Sequence, residues 1–280
     1  MDKTIAKPGF FARARQLVIG TVQAFLDPDT SLRCAGTAFF SFLSLFPAVG
    51  IAVFTYGLFA DIKTFLATIE TLELLVPGAV LDVLREQLAI LVTQPPAALS
   101  IGLVVSIVLA LWSGSRGVSA LIYAMSRVRG EPERRSFVHT VFISVILTLG
   151  GAVFLVISLL TIAGLPALIP FPSGEDLLVL ALRWPVLLVL TTAVLSILYR
   201  WGPDRHSRKF KYIWPGALLA SLLWLVAGVL FSIYVENFSN YQASFGSVTA
   251  AVVLLLWLYN SAQIFVLGAA FNAQLDYSAN

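Results

Sequence analysis

The sequence predicts an all-α protein that crosses a membrane six times, and three observations lead to this fold class. Hydrophobic residues make up 59% of the 280-residue chain and charged residues only 12%, which is about half the charged share of a soluble domain. Six apolar stretches each exceed the roughly 20 residues that a helix needs to cross ~30 Å of hydrocarbon. Lys and Arg cluster in alternate segments between those stretches, as expected when successive segments lie on opposite sides of a membrane.

The first predicted element is a short amphipathic helix within a cytoplasmic N-terminal segment, residues 1–32. Apolar residues recur at helical spacing from Phe10 to Leu26, with Arg13 and Arg15 between them. This pattern is typical of a helix that lies in the membrane surface with its basic groups near lipid headgroups. The alternative is a helix packed on the cytoplasmic end of the bundle.

Six spans are predicted to form one domain over residues 33–273, followed by a cytoplasmic tail at 274–280. We place the spans at about 33–60, 98–125, 137–164, 177–200, 211–235 and 245–273. The long connection at 61–97 carries two stripes of Ile, Leu and Phe that Pro77-Gly78 separates. These stripes predict a pair of amphipathic helices lying over the extracytoplasmic face of the bundle.

The placement of basic residues predicts the orientation. Of the 18 Lys and Arg residues, 14 fall in the N-terminal segment to Arg33, in the loop at 127–135 and in the loop at 200–211. The remaining connections hold only Lys63, Arg85 and Arg183, and Arg116 lies inside a span. Because Lys and Arg are enriched in cytoplasmic loops, we predict a multi-pass protein of a bacterial inner (plasma) membrane with both termini in the cytoplasm. An even number of spans requires the termini to share a side, which agrees.

Several strings resemble the YihY/BrkB family of bacterial inner-membrane proteins, over about residues 30–275. The first is the run from Cys34 through Phe46-Pro47, and the second runs from Leu198-Tyr199 through Gly202-Pro203 to Pro215-Gly216-Ala217. The most specific strings lie near the end of the chain: Tyr241, Phe245-Gly246-Ser247, Leu256-Trp257-Leu258-Tyr259 and Leu267-Gly268-Ala269.

The resemblance implies a six-helix inner-membrane protein but no settled biochemical activity. A ribonuclease label has circulated for the family, and part of its name comes from an association with virulence. The last motif usually reads Leu-Gly-Ala-Glu, whereas this chain has Ala270 at the position of that Glu. Any role of the family that rests on that carboxylate is therefore not expected here.

The residue types that hydrolytic chemistry needs are scarce. The chain has one cysteine, Cys34, and two histidines, His139 and His206, both beside basic loops. It contains no H-E-x-x-H, G-x-S-x-G or phosphate-loop motif and no paired cysteines. We therefore expect no catalytic residues, no metal, no other cofactor and no ribonuclease activity. The basic loops are explained by topology, so we expect no nucleic-acid partner.

Arg116 is the candidate centre of a site, because a charge within a span usually faces a bundle interior or a water-filled cavity. Polar residues at similar depth on three predicted helices suggest a pocket in the cytoplasmic half of the membrane. Its predicted lining is Arg116, Ser41, Ser44, Pro47, Ser113, Ser115, Asn260 and Gln263. The alternative is structural: Arg116 snorkels toward the headgroups, and Asn260 and Gln263 only join helices.

These features predict a non-enzymatic, transporter-like membrane protein that handles a small anionic solute or lipid, with Arg116 contacting the anionic group. One alternative is a scaffold or interaction protein of the cell envelope. The other is an intramembrane lipid-modifying enzyme. Membrane lipid is the expected partner, and nothing in the sequence predicts an oligomeric state.

Overall fold

The chain is helical throughout the part that its structure, a computed structural model, describes. The described residues are 10–59, 95–130, 135–168, 176–204, 212–245 and 247–279. Within these ranges there are seven helices and no strand, which confirms the all-α fold class. The predicted amphipathic helical pair falls almost entirely at residues 60–94 and so lies outside the described residues.

Six of the seven helices are long and apolar enough to cross a membrane, which confirms the six predicted spans. In chain order the helices are α1 (Phe10–Phe25), α2 (Pro28–Phe59), α3 (Pro96–Val128), α4 (Phe137–Leu168), α5 (Asp176–Trp201), α6 (Trp214–Phe245) and α7 (Ser247–Ala279).

The observed helices extend beyond several of the predicted spans. Helix α2 starts at Pro28 rather than near residue 33, because Asp27 caps it: the Asp27 Oδ1 atom accepts a 2.9 Å hydrogen bond from the Asp29 N–H group. Helix α6 continues to Phe245, and α7 to Ala279. Hydropathy marks where the hydrocarbon ends, whereas backbone hydrogen bonding continues into the polar layer.

The chain divides into two compact units, each described here by itself. Unit 1 comprises Met1–Phe40 and Ser115–Asn280, and unit 2 comprises Ser41–Gly114. In unit 1, α6 packs against both α5 and α7, α4 packs against α5, and α1 packs against α7. The core of unit 1 is made of fully buried apolar side chains from α2, α3, α5, α6 and α7, including Cys34, Ile122, Met125, Leu195, Ala220 and Val266.

Helices α6 and α7 cross at two glycines. A methyl group added to Gly268 would lie 2.5 Å from the carbonyl oxygen of Gly216 and 2.7 Å from the Cβ atom of Ala220. Small residues allow such close approach of two membrane helices. The spacing of Gly216 and Ala220 therefore serves this crossing, which brings the polar end of α7 against the start of α6.

Helix α1 combines features of both predicted alternatives. One face packs on α7, where Gly20 lies beside the Gln274 side chain and Thr21 is buried. The apolar residues Val18 and Val22 of the same helix are exposed. Contact of these residues with the membrane surface stays a prediction.

In unit 2, α2 and α3 contribute segments that approach each other closely. A methyl group on Gly50 would lie 2.7 Å from the Ser106 Oγ atom, and one on Gly102 would lie 2.7 Å from the ring of Phe54. Helix α3 begins at Pro96, after Pro95, whose carbonyl accepts a 2.9 Å hydrogen bond from Ala98. Proline is well suited to this first position, since its missing N–H would have no partner within the helix.

Candidate functional site

Four residues of the predicted pocket lie in unit 2, namely Ser41, Ser44, Pro47 and Ser113. The Ser44 hydroxyl donates to the Ser41 carbonyl at 2.7 Å, and the Ser113 hydroxyl donates to the Leu109 carbonyl at 2.7 Å. Pro47 lies within α2, which continues past it as one helix. Each of the two hydroxyls therefore donates its hydrogen bond to a backbone carbonyl of its own helix.

Arg116 lies in unit 1, and its side chain is exposed. Its guanidinium carbon is 5.8 Å from the ring centroid of Phe137, the first residue of α4, which is 64% exposed. The Arg116 backbone is about 18 Å from the Val128 end of α3 at 1.5 Å per residue. The side chain thus reaches toward the end of α3 that connects to α4, which is the geometry of snorkelling.

The other predicted residues of unit 1 have separate neighbours. The Gln263 Nε2 atom donates to the Tyr259 hydroxyl at 2.8 Å on the same helix. Asn260 is partly buried one turn earlier, and Ser115 is buried in α3. Arg116 and Gln263 therefore contact different partners in unit 1, and their meeting in one pocket stays a prediction.

A second polar constellation, which the sequence reasoning missed, centres on Arg129. Arg129 follows α3 directly and is only 1% exposed. Its Nη2 atom donates to the Tyr199 carbonyl at 3.3 Å, and its own carbonyl accepts a 2.7 Å hydrogen bond from the Tyr277 hydroxyl. The ends of α3, α5 and α7 are thereby joined.

Asn272 and Asp276 of α7 extend this constellation to the start of α6. The Asn272 side chain accepts from the Gly216 N–H at 2.7 Å and donates to the Ile213 carbonyl at 2.8 Å. The Asp276 Oδ1 atom accepts from the Tyr212 N–H at 3.2 Å. We call Arg129, Tyr199, Asn272, Asp276 and Tyr277 the polar end cluster.

The polar end cluster gathers chain segments that are far apart in sequence. Arg135, in the same loop as Arg129, donates to the carbonyls of Trp201 and Gly202. Arg129 and Arg135, residues 199–202 at the end of α5 and the C-terminal end of α7 therefore meet at one end of unit 1. These contacts satisfy backbone groups at helix ends, which would otherwise lack partners. The cluster thus holds the helix ends together.

Two signals could have revealed the cluster from the sequence. Asn272 lies one turn after Gly268 on the same face of α7, so it had to face the same crossing. The strings Gly202-Pro203, Pro215-Gly216 and Leu267-Gly268, quoted above for the family resemblance, flank the segments that meet. Arg129 carried no such signal because it looks like one of several basic loop residues.

Metal-ligating residues do not converge within the part of the chain that the structure describes. No group of three or more His, Cys, Asp or Glu side chains there could hold a metal ion. Ala270, at the position where the family usually has Glu, is fully buried in the core of unit 1.

Comparison with known proteins gives one family. The family model described as Virulence factor BrkB matches residues 21–280. A ribonuclease-like protein of Bacillus subtilis, YfkH, is 32% identical over 178 residues, which cover 60% of this chain and 64% of that protein. A UPF0761 membrane protein of Pseudoalteromonas translucida is 25% identical over 257 residues, which cover 89% of this chain and 82% of that protein.

A UPF0761 membrane protein of Idiomarina loihiensis is 33% identical over 93 residues, which cover 33% of this chain and 32% of that protein. The chain thus spans less than two thirds of the length of the Bacillus and Idiomarina relatives. No solved structure matches the chain.

Proposed function

Since this chain belongs to the BrkB family of membrane proteins, we propose that it is a non-enzymatic plasma-membrane protein that handles an anionic lipid or solute through Arg116. The family model covers residues 21–280. The names of the UPF0761 relatives describe membrane proteins and state no substrate. The proposal therefore rests on the chain's own residues.

The observation that carries the proposal is the exposure of Arg116 within an apolar span. Placing an arginine near the middle of a membrane helix costs about 2.5–3.5 kcal/mol on insertion scales. That cost is offset when the guanidinium reaches a phosphate, which it binds through two parallel N–H groups. The exposed Phe137 ring beneath the guanidinium supports it on a surface that lipid covers. This arrangement favours an anionic lipid over a soluble anion.

The proposed location is the inner membrane of a bacterium, with both termini in the cytoplasm. The support is the concentration of 14 of the 18 Lys and Arg residues in three segments. Two cations of one such segment, Arg129 and Arg135, donate hydrogen bonds to carbonyls at 199–202, where a second segment begins. Basic segments that share one end of a bundle fit the cytoplasmic side.

We further propose that the chain has no ribonuclease activity, although one relative is named ribonuclease-like. Hydrolysis of a phosphodiester needs an activated nucleophile or a metal centre. The chain has two histidines and one cysteine, and it carries none of the hydrolytic motifs considered above. This scarcity of nucleophiles and general bases supports a binding role in preference to a catalytic one.

The proposal is tested by identifying the lipid that remains bound after extraction. The protein is extracted into polymer nanodiscs, and its lipid is counted by native mass spectrometry for the wild type, Arg116→Leu and Arg116→Lys. Losing a charge-assisted hydrogen bond of about 1.5–3 kcal/mol should reduce retention of anionic phospholipid about 10–100-fold in Arg116→Leu. Arg116→Lys, which keeps the charge, should lose much less.

Arg200→Leu serves as the matched control, because Arg200 is an exposed cation in the last turn of a span. It should retain anionic lipid as the wild type does. Equal retention in the wild type and Arg116→Leu, or equal losses in Arg116→Leu and Arg200→Leu, would refute a specific role for Arg116.

A further inference from the structure

The first turns of α2 contain two buried donors that lack an acceptor. Thr30 is 1% exposed, and its hydroxyl has no hydrogen-bond partner among the described residues. The Arg33 Nε atom is likewise buried without a hydrogen-bond partner in that part of the chain. Residues three apart share one face of a helix. Buried polar groups are nearly always hydrogen-bonded, so two unsatisfied donors on one face call for a bound acceptor.

This face lies along a seam between α2 and α3 within unit 1. The Asp27 Oδ2 atom is 3.1 Å from the Arg127 Nε atom at one end of the seam. Further along, the Arg33 guanidinium carbon is 5.6 Å from the ring centroid of Tyr123. The successive pairings are antiparallel and place Thr30 between the ion pair and the stacked arginine. The donors are therefore held by contacts on both sides.

Neither donor forms a hydrogen bond within α2. Buried threonines elsewhere donate to the carbonyl four residues earlier: Thr37 to Arg33 at 3.0 Å and Thr21 to Leu17 at 2.8 Å. The Thr30 hydroxyl makes no such bond, and its backbone N–H is already bonded to the Asp27 carbonyl at 2.9 Å. The hydroxyl is therefore left without a hydrogen-bond partner among the described residues.

The neighbouring carboxylates are occupied. The Asp27 side chain pairs with Arg127 and accepts from the Asp29 N–H at 2.9 Å. The Asp29 Oδ2 atom is 3.5 Å from the Arg127 Nη2 atom. Arg127 thus offsets one of the two negative charges at the start of α2, and Arg33, one turn after Thr30, supplies a second positive charge on this face.

We propose that Thr30 and Arg33 form a binding site for a phosphate group, whose oxygens accept from the Thr30 hydroxyl and the Arg33 Nε–H group. Arginine matches phosphate geometry, and the start of a long helix favours negative charge. Stacking on Tyr123 fixes the guanidinium before the phosphate arrives. The phosphate is either that of a lipid headgroup or free inorganic phosphate. The site involves neither Arg116 nor Phe137, so it does not rest on the proposed function.

The test compares thermal unfolding in a phosphate-free detergent, dodecyl maltoside, after one of two additions. One arm adds phosphatidylglycerol in mixed micelles, and the other adds sodium phosphate, with sodium chloride as the control for ionic strength. At a hundredfold excess over Kd, a specific ligand should raise Tm by about 5 °C. The arm that shows the rise identifies whether lipid or free phosphate occupies the site.

Variants in an Arg116→Leu background, which lacks the lipid contact proposed above, determine whether the rise belongs to this site. Thr30→Val keeps the side-chain shape but removes the hydroxyl, and Arg33→Met keeps the apolar stem but removes the N–H groups. Both should unfold near the temperature of Arg116→Leu without ligand and should lose the rise. Arg116→Leu itself and Thr30→Ser, which keeps a hydroxyl, should retain it.

Two results would overturn the site. One is the absence of stabilisation of the wild type by both phosphatidylglycerol and phosphate. The other is an equal rise in Arg116→Leu with and without Thr30→Val or Arg33→Met. Loss of lipid retention in Arg116→Leu with an intact Tm rise would separate the two sites from each other.

Discussion

Replacing Gly268 by alanine is expected to break the crossing of α6 and α7 and to lower Tm by roughly 6 °C or more, since overpacking against backbone costs about 3 kcal/mol or more. The added methyl group would lie 2.5 Å from the Gly216 carbonyl oxygen and 2.5 Å from the Tyr199 hydroxyl oxygen. Neither atom can move alone. The Gly216 N–H donates a hydrogen bond to the Asn272 side chain, and the Tyr199 hydroxyl donates to the Phe265 carbonyl at 2.6 Å.

Gly150→Ala and Gly151→Ala are the matched controls for this prediction. Both glycines lie inside α4, and an added methyl group would meet nothing within 4 Å at either position. Alanine is the better helix former by up to about 1 kcal/mol, so these variants should be as stable as the wild type or more so. Thermal unfolding in detergent gives the Tm of all three variants. A Gly268→Ala protein as stable as the two controls would show that the helices do not cross at these glycines.

Replacing Asn272 by leucine is expected to destabilise the protein by about 2–3 kcal/mol through loss of the polar end cluster. Asn272 is fully buried and accepts from the Gly216 N–H. That N–H belongs to the first turn of α6, where backbone donors have no partner within the helix. Leucine has nearly the same size but cannot accept, so the donor would be buried without a partner. The Ile213 carbonyl keeps its bond from Ala217 and adds little to the cost.

Thr191→Val is the control, because it also removes one buried polar group from a span. The Thr191 hydroxyl donates to the Leu187 carbonyl at 2.7 Å within its own helix. Its removal leaves no donor unsatisfied and should cost less than about 1 kcal/mol. The free energies of unfolding, measured in denaturant, compare the two variants directly. Similar losses in Asn272→Leu and Thr191→Val would mean that the cluster does not anchor the start of α6.

The six spans could be predicted from the sequence because the bilayer imposes them. Backbone groups in hydrocarbon must be satisfied within the segment, so a long apolar stretch has to be helical. The resemblance to the BrkB family, based on a few short strings, was confirmed by a family match over residues 21–280. Hydropathy alone predicted the ends of the helices less well, since capping, as by Asp27, depends on local hydrogen bonds.

The polar contacts were harder to predict than the spans. Hydropathy finds Arg116 inside a span but does not say which way the side chain points; in the structure it lies over Phe137 and is exposed. Arg129 has the same residue type and lies in a basic loop, yet it is buried. Which loop cation becomes buried depends on how distant helix ends meet, and a single sequence does not encode that meeting in any short pattern.

The proposed location depends on the orientation of the bundle, which cysteine labelling of intact spheroplasts measures. In a Cys34→Ala background, single cysteines replace Pro95, before α3, and Ser136, after it, and a third follows Asn280. All three sites are probed with a membrane-impermeant maleimide. The orientation predicts labelling of Pro95→Cys in intact spheroplasts, with labelling of Ser136→Cys and of the C-terminal cysteine only after lysis. Labelling of either of those two cysteines before lysis would contradict it.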